Sequence, residues 1–175
     1  MDGILERAGD RWRLRFERRL SHPPDKVWRA LTEPEELKAW FPDQIVVREW
    51  RAGSPLEFVS GFGDFDGEVI AANPPHLLEF RWGTDILRFQ VEPTSDGSLL
   101  TLTDMIDEIG KAARDGAGWH ECLDRLEHWL AGTTPEWAPG ERYEAVHDRY
   151  VQRFGPEAST IGPPSGSEET VSAGS

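Results

Sequence analysis

The stretch HPPDKVWRALTEPEELKAWFP, residues 22–42, places helix signals and bulky aromatic side chains side by side. Pro24 and Asp25 suit the first turn of a helix, because proline fixes the backbone angle there and a negative charge is favourable at the positive end of the helix dipole. The run ThrGluProGlu at 32–35 has the form of a capping box. The stretch therefore predicts two short consecutive helices, of which the second runs to about Trp40.

Strand patterns lie on both sides of this stretch. Residues 11–20 alternate between apolar and charged side chains, the period of a half-buried strand. Six further runs are strand-like: 45–50, 56–62, 65–71, 77–82, 86–92 and 99–106. Their separators are short and rich in turn-forming residues, and the glycine-rich run at 60–67 is interpreted as one such tight turn. Strands joined this tightly should be antiparallel neighbours, so the sequence predicts an antiparallel sheet of about six to seven strands.

The sequence changes to a helical period after the last strand. Apolar residues recur at helical spacing in 118–130, with charged residues on the other faces. This order predicts an α+β fold, in which a curved antiparallel sheet wraps around one long C-terminal helix. We expect a domain over 1–134, an amphipathic helical extension over 135–155 and a flexible tail over 156–175, because the tail is rich in Ser, Gly, Pro and Glu.

Composition limits the classes of partner and cofactor. The formal net charge of −13 argues against nucleic acid and against an anionic membrane surface. No apolar run is long enough to span a membrane and no hydrophobic signal core is visible, so we expect a cytoplasmic protein. A single cysteine, Cys122, excludes an internal disulfide and a multi-cysteine zinc site. With scattered histidines and no phosphate-binding glycine motif, the sequence predicts neither a metal nor a cofactor.

One carboxylate falls on the predicted inward face of the sheet. If turns lie near Thr84 and Ser95, the residues that share this face are Leu78, Phe80, Trp82, Leu87, Phe89, Val91, Leu100 and Leu102. Asp104 continues the same face, where a desolvated carboxylate would have a raised pKa. Two alternatives stay open. Asp104 could lie near a strand end in water, and a one-residue slip would turn it outward and Thr101 and Thr103 inward.

His120 is the other candidate for polar chemistry. It lies four residues before Asp124 on the predicted long helix, a spacing that allows a hydrogen bond or two metal ligands. The second histidine of a zincin helix is absent, which favours a structural or exposed histidine. General acid–base work would need Asp104 and His120 to meet, so these two residues are weak catalytic candidates.

Four segments in order resemble one known family. They are RLSHPPDKVWRALTEPEELKAWFP at 19–42, GEVIAANPPHLLEFRW at 67–82, SLLTLTD at 98–104 and GWHECLDRL at 118–126. Together they resemble the SRPBCC superfamily, in the branch named after the C-terminal domain of the activator of Hsp90 ATPase, over roughly residues 10–132. The resemblance implies a helix-grip fold like that of the major birch-pollen allergen and START domains, with a cavity between sheet and long helix.

Three functions compete on this basis. The first is binding of a small hydrophobic or aromatic ligand in the cavity, and the residues expected to bind it are Trp40, Phe41, Phe80, Trp82, Phe89, Leu102, Asp104, Trp119 and Leu123. Among these, Trp40 and Phe41 are expected to close one mouth of the cavity as a movable lid. The second is a cyclase- or hydrolase-type enzyme that uses polar groups of the cavity. The third is a stress-related protein-interaction module, whose amphipathic extension would pack on its own domain or in a homodimer.

Overall fold

A computed structural model describes residues 1–163 of the chain. It is an α+β fold built on one eight-stranded antiparallel sheet. The strands are β1 Ile4–Ala8, β2 Arg11–Leu20, β3 Gln44–Val47, β4 Pro55–Val59, β5 Phe65–Asn73, β6 Leu77–Trp82, β7 Asp85–Thr94 and β8 Gly97–Ile106. Their order across the sheet is β1-β2-β8-β7-β6-β5-β4-β3, so β2 closes onto β8 and every other neighbour is joined by a hairpin or short connection.

The helices follow the predicted order. They are α1 Pro24–Thr32, α2 Pro34–Leu37, α3 Ala112–Ala131 and α4 Glu141–Phe154, with short 3-10 turns at Ile109–Lys111 and Pro156–Ser159. The long helix α3 lies against the inward face of the sheet, where its Trp119 contacts Trp82 and Asp104. The predicted class, a curved antiparallel sheet with a long C-terminal helix, is confirmed. Within residues 1–163, no helix combines the length and the apolar character that crossing a bilayer requires.

Three local predictions were wrong. The sheet has eight strands because the short, partly exposed β1 pairs with β2. Thr32 does not cap α2: its hydroxyl donates to the Trp28 carbonyl, and Glu33 precedes a helix that begins at Pro34 and ends at Leu37. Helix α3 begins six residues earlier than predicted, at Ala112.

The inward face of the last three strands is as predicted. Asp104 on β8 pairs with Leu14 on β2 and with Leu87 on β7, in register with the buried residues of both neighbours. Its side chain is 0% exposed. The outward slip and the solvated strand end are therefore both excluded.

The C-terminal segment packs on its own domain. Val146 and Tyr150 of α4 are buried against α3, and Gly116 leaves the room for this contact, since a Cβ there would lie 3.2 Å from the Tyr150 ring. Beyond α4, the tail predicted to be flexible begins with a 3-10 turn in which Ala158 is buried. Residues 164–175 of that tail lie outside the described residues.

Candidate functional site

A cavity of about 570 Å³ opens at one end of the contact between sheet and long helix. Its walls come from the loop before β3, the β4–β5 hairpin, the end of β6, the first half of α3, and α4. The lining residues are Pro42, Asp43, Ser60, Gly61, Phe62, Phe65, Trp82, Arg114, Asp115, Gly118, Trp119, Cys122, Tyr143 and Pro163. Most of the lining surface is therefore aromatic or aliphatic, with three charged side chains.

Two tryptophans are fixed in the cavity wall by hydrogen bonds from their ring nitrogens. Trp82 Nε1 donates to Asp43 Oδ2 at 2.8 Å, and Trp119 Nε1 donates to Asp104 Oδ2 at 2.8 Å. The two indole rings contact each other with their centroids 5.3 Å apart. Because both N–H groups are used by the protein, the rings offer a bound molecule mainly their apolar surfaces.

Of the nine predicted ligand-binding residues, the structure places Trp82 and Trp119 in this wall. The other seven are buried and absent from the lining: Trp40, Phe41, Phe80, Phe89, Leu102, Asp104 and Leu123. All of them except Asp104 belong to one hydrophobic core, in which the rings of Trp40 and Phe80 both contact Phe89. A ligand contact for these seven stays a prediction.

Trp40 and Phe41 do not form a lid over the mouth in this structure. Trp40 is 2% exposed, and its Nε1 donates to the Ala30 carbonyl of α1 at 2.8 Å. Phe41 lies behind the cavity wall, with its ring centroid 5.7 Å from that of Trp119 and 6.0 Å from that of Trp82. Core packing holds both rings in place. The Trp40 N–H has a hydrogen-bond acceptor within the protein, and the neighbouring aromatic rings bury both side chains.

The two catalytic candidates are held by different contacts. Asp104 accepts from Trp119, whereas His120 Nδ1 lies 2.9 Å from the Tyr150 hydroxyl and His120 Nε2 lies 3.5 Å from Asp124 Oδ2. Burial lowers the pKa of His120 to about 4, which the Asp124 carboxylate only partly opposes. His120 is therefore a neutral structural residue between α3 and α4, and the structure does not bring it together with Asp104.

Cys122 lines the cavity but is poorly suited to nucleophilic chemistry. Burial, together with the neighbouring Glu121 carboxylate, raises the pKa of its thiol to about 12. Since the thiolate is the reactive form, the group stays a neutral thiol near neutral pH.

Three carboxylates lie together at the cavity wall, to which one of them, Asp115, belongs. Asp85, Asp104 and Asp115 each place one oxygen within 4.8 Å of the other two. Lys111 Nζ lies 2.8 Å from Asp85 Oδ1, and Arg114 Nε lies 2.7 Å from Asp115 Oδ1. Desolvation, followed by the charges of Asp85 and Asp115, raises the pKa of Asp104 well above its ordinary value. The sequence pointed only to Asp104, because Asp85, the first residue of β7, was predicted to lie in a turn, and Asp115 lies in a part of α3 that was not predicted as helix.

Other wall residues were also missed. Phe62 and Phe65 belong to the glycine-rich run that was interpreted as a tight turn. Residues 60–64 form the turn and Phe65 begins β5, and the two phenylalanines also form one side of the cavity. The two phenylalanines in this glycine-rich run could have indicated a role in the cavity wall. A turn that only reverses the chain direction does not need large aromatic side chains.

Comparisons with known proteins agree with the fold. The family model described as activator of Hsp90 ATPase homolog 1-like protein matches residues 21–131. The conserved protein of unknown function EF2215 from Enterococcus faecalis is 22% identical over 87% of this chain and 90% of its own, with a TM-score of 0.72. CalU16 from Micromonospora echinospora is 19% identical over 87% of this chain and 97% of its own, with a TM-score of 0.69. At these identities the two structures establish a shared fold alone. No curated protein matches the chain.

Proposed function

Since the chain belongs to the family of activator of Hsp90 ATPase homolog 1-like proteins, we propose that it binds a small hydrophobic or aromatic molecule in the cavity beside α3. The observation that carries this proposal is a cavity of about 570 Å³ with a largely apolar wall that includes five aromatic residues. Sites for small molecules are typically concave and mostly apolar, with volumes of roughly 300–1,000 Å³. The cavity agrees with these properties in both size and lining.

The distribution of exposed apolar surface supports the same site. Phe62 is 69% exposed at the rim of the cavity, although it is a large apolar side chain. Phe65, directly behind it, stacks on the buried Phe58 with ring centroids 5.0 Å apart. An apolar ligand would cover Phe62 and extend this stack outward, which would remove apolar surface from water.

The charged residues of the wall favour a ligand without negative charge. Asp43 is already bonded to Trp82, and Arg114 and Asp115 are paired with each other. The Arg114–Asp115 pair offers the cavity little net charge, whereas Asp43 accepts from a neutral indole and has no cationic partner among the described residues, so an anionic ligand is disfavoured. Ligand specificity would then depend on shape and aromatic contact.

A direct test is native mass spectrometry and thermal shift of the purified protein with lipids and polycyclic aromatic compounds. Gly118 offers a matched pair of variants, because it lines the cavity and a Cβ there would have no heavy atom within 4 Å. Gly118→Phe should fill the cavity and abolish binding, while Gly118→Ala should leave most of the volume free.

The outcomes separate the possibilities. Stabilisation by a hydrophobic compound in the wild type and in Gly118→Ala, lost in Gly118→Phe, would support the proposal. If no hydrophobic compound binds the wild type, or if binding persists unchanged when Gly118 is replaced by Phe, the ligand-binding function assigned to this cavity is wrong.

The two competing functions receive less support. A cyclase or hydrolase would need a polar pair in the cavity, and the predicted Asp104 and His120 lie in separate networks. A protein-interaction role for the amphipathic extension would need a free apolar stripe, but Val146 and Tyr150 of that stripe are buried on α3. A homodimer and a cytoplasmic location stay predictions, and light scattering of the full chain would test the first.

A further inference from the structure

The aspartate cluster at the cavity wall holds more negative than positive charge. Asp85 is 4% exposed and Asp104 is 0% exposed, and the Asp115 side chain is also largely buried. The three residues come from β7, β8 and α3, so their mutual approach is fixed by sheet register and helix packing. Two cations face them, Lys111 and Arg114.

Both cations are already engaged. Lys111 Nζ is bonded to Asp85 and also to the more exposed Asp107, at 2.8 Å in each case. Arg114 is bonded to Asp115. From β2, Arg11 reaches this region, but it donates to the carbonyl oxygens of Thr84 and Met105 and to no carboxylate. Three buried carboxylates therefore meet two cations, which leaves one negative charge in excess.

Two carboxylate oxygens of the cluster have no hydrogen-bond partner among the described residues. Asp104 Oδ2 accepts from Trp119, but Asp104 Oδ1 is buried and unpaired, and so is Asp115 Oδ2. A buried acceptor without a hydrogen-bond donor lowers the stability of the folded protein. A proton, a cation or a water molecule at that position would satisfy it.

We propose that Asp104 and Asp115 share one proton, so that a carboxylic acid and a carboxylate form a hydrogen-bonded pair at the cavity wall. The proton comes from solvent and forms an O–H bond on Asp104, whose hydroxyl then donates to Asp115. One proton supplies the single positive charge that the cluster lacks and satisfies two acceptors at once. Two carboxylates in one site commonly divide a proton in this way.

The charge balance favours a proton over a metal ion. A divalent cation would bring one positive charge too many, and Lys111 and Arg114 already occupy an oxygen of Asp85 and one of Asp115. The raised pKa of Asp104, caused first by desolvation, agrees in direction with a proton held more tightly than on an ordinary aspartate. The pair would also keep the wall behind Trp119 free of excess charge. This inference concerns the protein without a ligand, so it does not depend on the proposed function.

Infrared difference spectroscopy of the full chain at pH 7 tests the proposal. The wild type should show the carbonyl stretch of a protonated carboxyl group, which shifts in D2O and disappears in Asp104→Asn. Asp115→Asn removes the excess negative charge and should move the titration of this band to lower pH. Asp107→Asn is the matched control, because Asp107 is partly exposed, contacts Lys111 and Thr84, and is not one of the three buried carboxylates; the band should persist in it.

Stability measurements distinguish the proton from a cation. Asp104→Asn keeps the shape of the side chain and its neutral charge, so its urea midpoint at pH 7 should equal or exceed that of the wild type. Mg²⁺, Ca²⁺, Mn²⁺ and Zn²⁺ should leave the midpoint of the wild type unchanged. The proposal is overturned if the protonated band is absent at pH 7, or if one of these ions stabilises the wild type but not Asp104→Asn.

Discussion

Replacing Tyr150 by Phe should destabilise the protein strongly, although it removes a single oxygen atom. Tyr150 on α4 is fully buried, and its hydroxyl accepts from the Gly3 N–H at 2.9 Å. The same hydroxyl lies 2.9 Å from His120 Nδ1 on α3. One oxygen thus connects the N-terminal segment, α3 and α4, and its loss leaves two buried polar groups without a partner.

The magnitude follows from the cost of those two groups. An unpaired buried polar group costs about 1–3 kcal/mol, and part of this is recovered because the tyrosine hydroxyl no longer needs to be desolvated. We expect the free energy of unfolding to fall by roughly 2–4 kcal/mol, measured by urea denaturation with an unchanged dependence on urea concentration. Hydrogen exchange at the Gly3 amide should accelerate in the same variant.

Tyr143 provides the control on the same helix. Its hydroxyl is buried but has no hydrogen-bond partner among the described residues, so Tyr143→Phe removes an unsatisfied group. Its free energy of unfolding should stay within about 0.5 kcal/mol of the wild type or rise. If both variants lose the same stability, or if Tyr150→Phe loses less than its control, the assignment of these hydrogen bonds is wrong.

Three further predictions concern pH, strand packing and the cavity wall. His120 has a folded pKa of about 4, below its ordinary value of 6.5, so the unfolded chain binds more protons between these values and stability should fall as pH drops through this window. The wild type should lose on the order of 3 kcal/mol in its free energy of unfolding between pH 7 and pH 4. In His120→Gln, urea denaturation over the same pH range should show a smaller loss. An equal loss in the two proteins would contradict the assignment. Gly67→Ala should lower the urea midpoint sharply, because its Cβ would overlap a carbonyl oxygen of β6, whereas Gly61→Ala has free space and should be tolerated; similar midpoints would refute this packing. Trp119→Phe removes the N–H donor of buried Asp104 and should cost about 1–3 kcal/mol in the same assay, and a neutral result would show that this hydrogen bond contributes nothing.

The sheet was predictable because its information is local. Hairpins join most neighbouring strands, so alternation within each strand and the expected turn positions predicted an inward Asp104, and only the observed register excluded the one-residue slip. The short β1 was missed because its residues are mostly half-buried and show no clear alternation. The early start of α3 was missed because Gly116 and Gly118 lower helix propensity. At Gly116 the close approach of α4 outweighs this preference, which no local pattern can show.

The candidate site was less predictable for a different reason. Periodicity identifies which side chains point inward, but it does not distinguish those that fill the core from those that border a cavity. Phe41 and Trp82 were both expected to meet a ligand, yet only Trp82 reaches the wall. The grouping of Asp85, Asp104 and Asp115 depends on how one helix is seated on two strands. This arrangement depends on tertiary packing, so the spacing of the three residues along the chain does not predict it.

The position of Phe41 has a consequence for how this scaffold could change its specificity. Its ring separates the cavity from the aromatic core, with Trp82 and Trp119 on one side and Phe58 and Phe80 on the other. The depth of the cavity is thus controlled by one side chain, and a smaller residue at this position would extend the cavity inward without altering its entrance. Under the proposed function, replacing Phe41 by a smaller residue would therefore change the length of the molecule accepted, while the framework around the cavity stays the same.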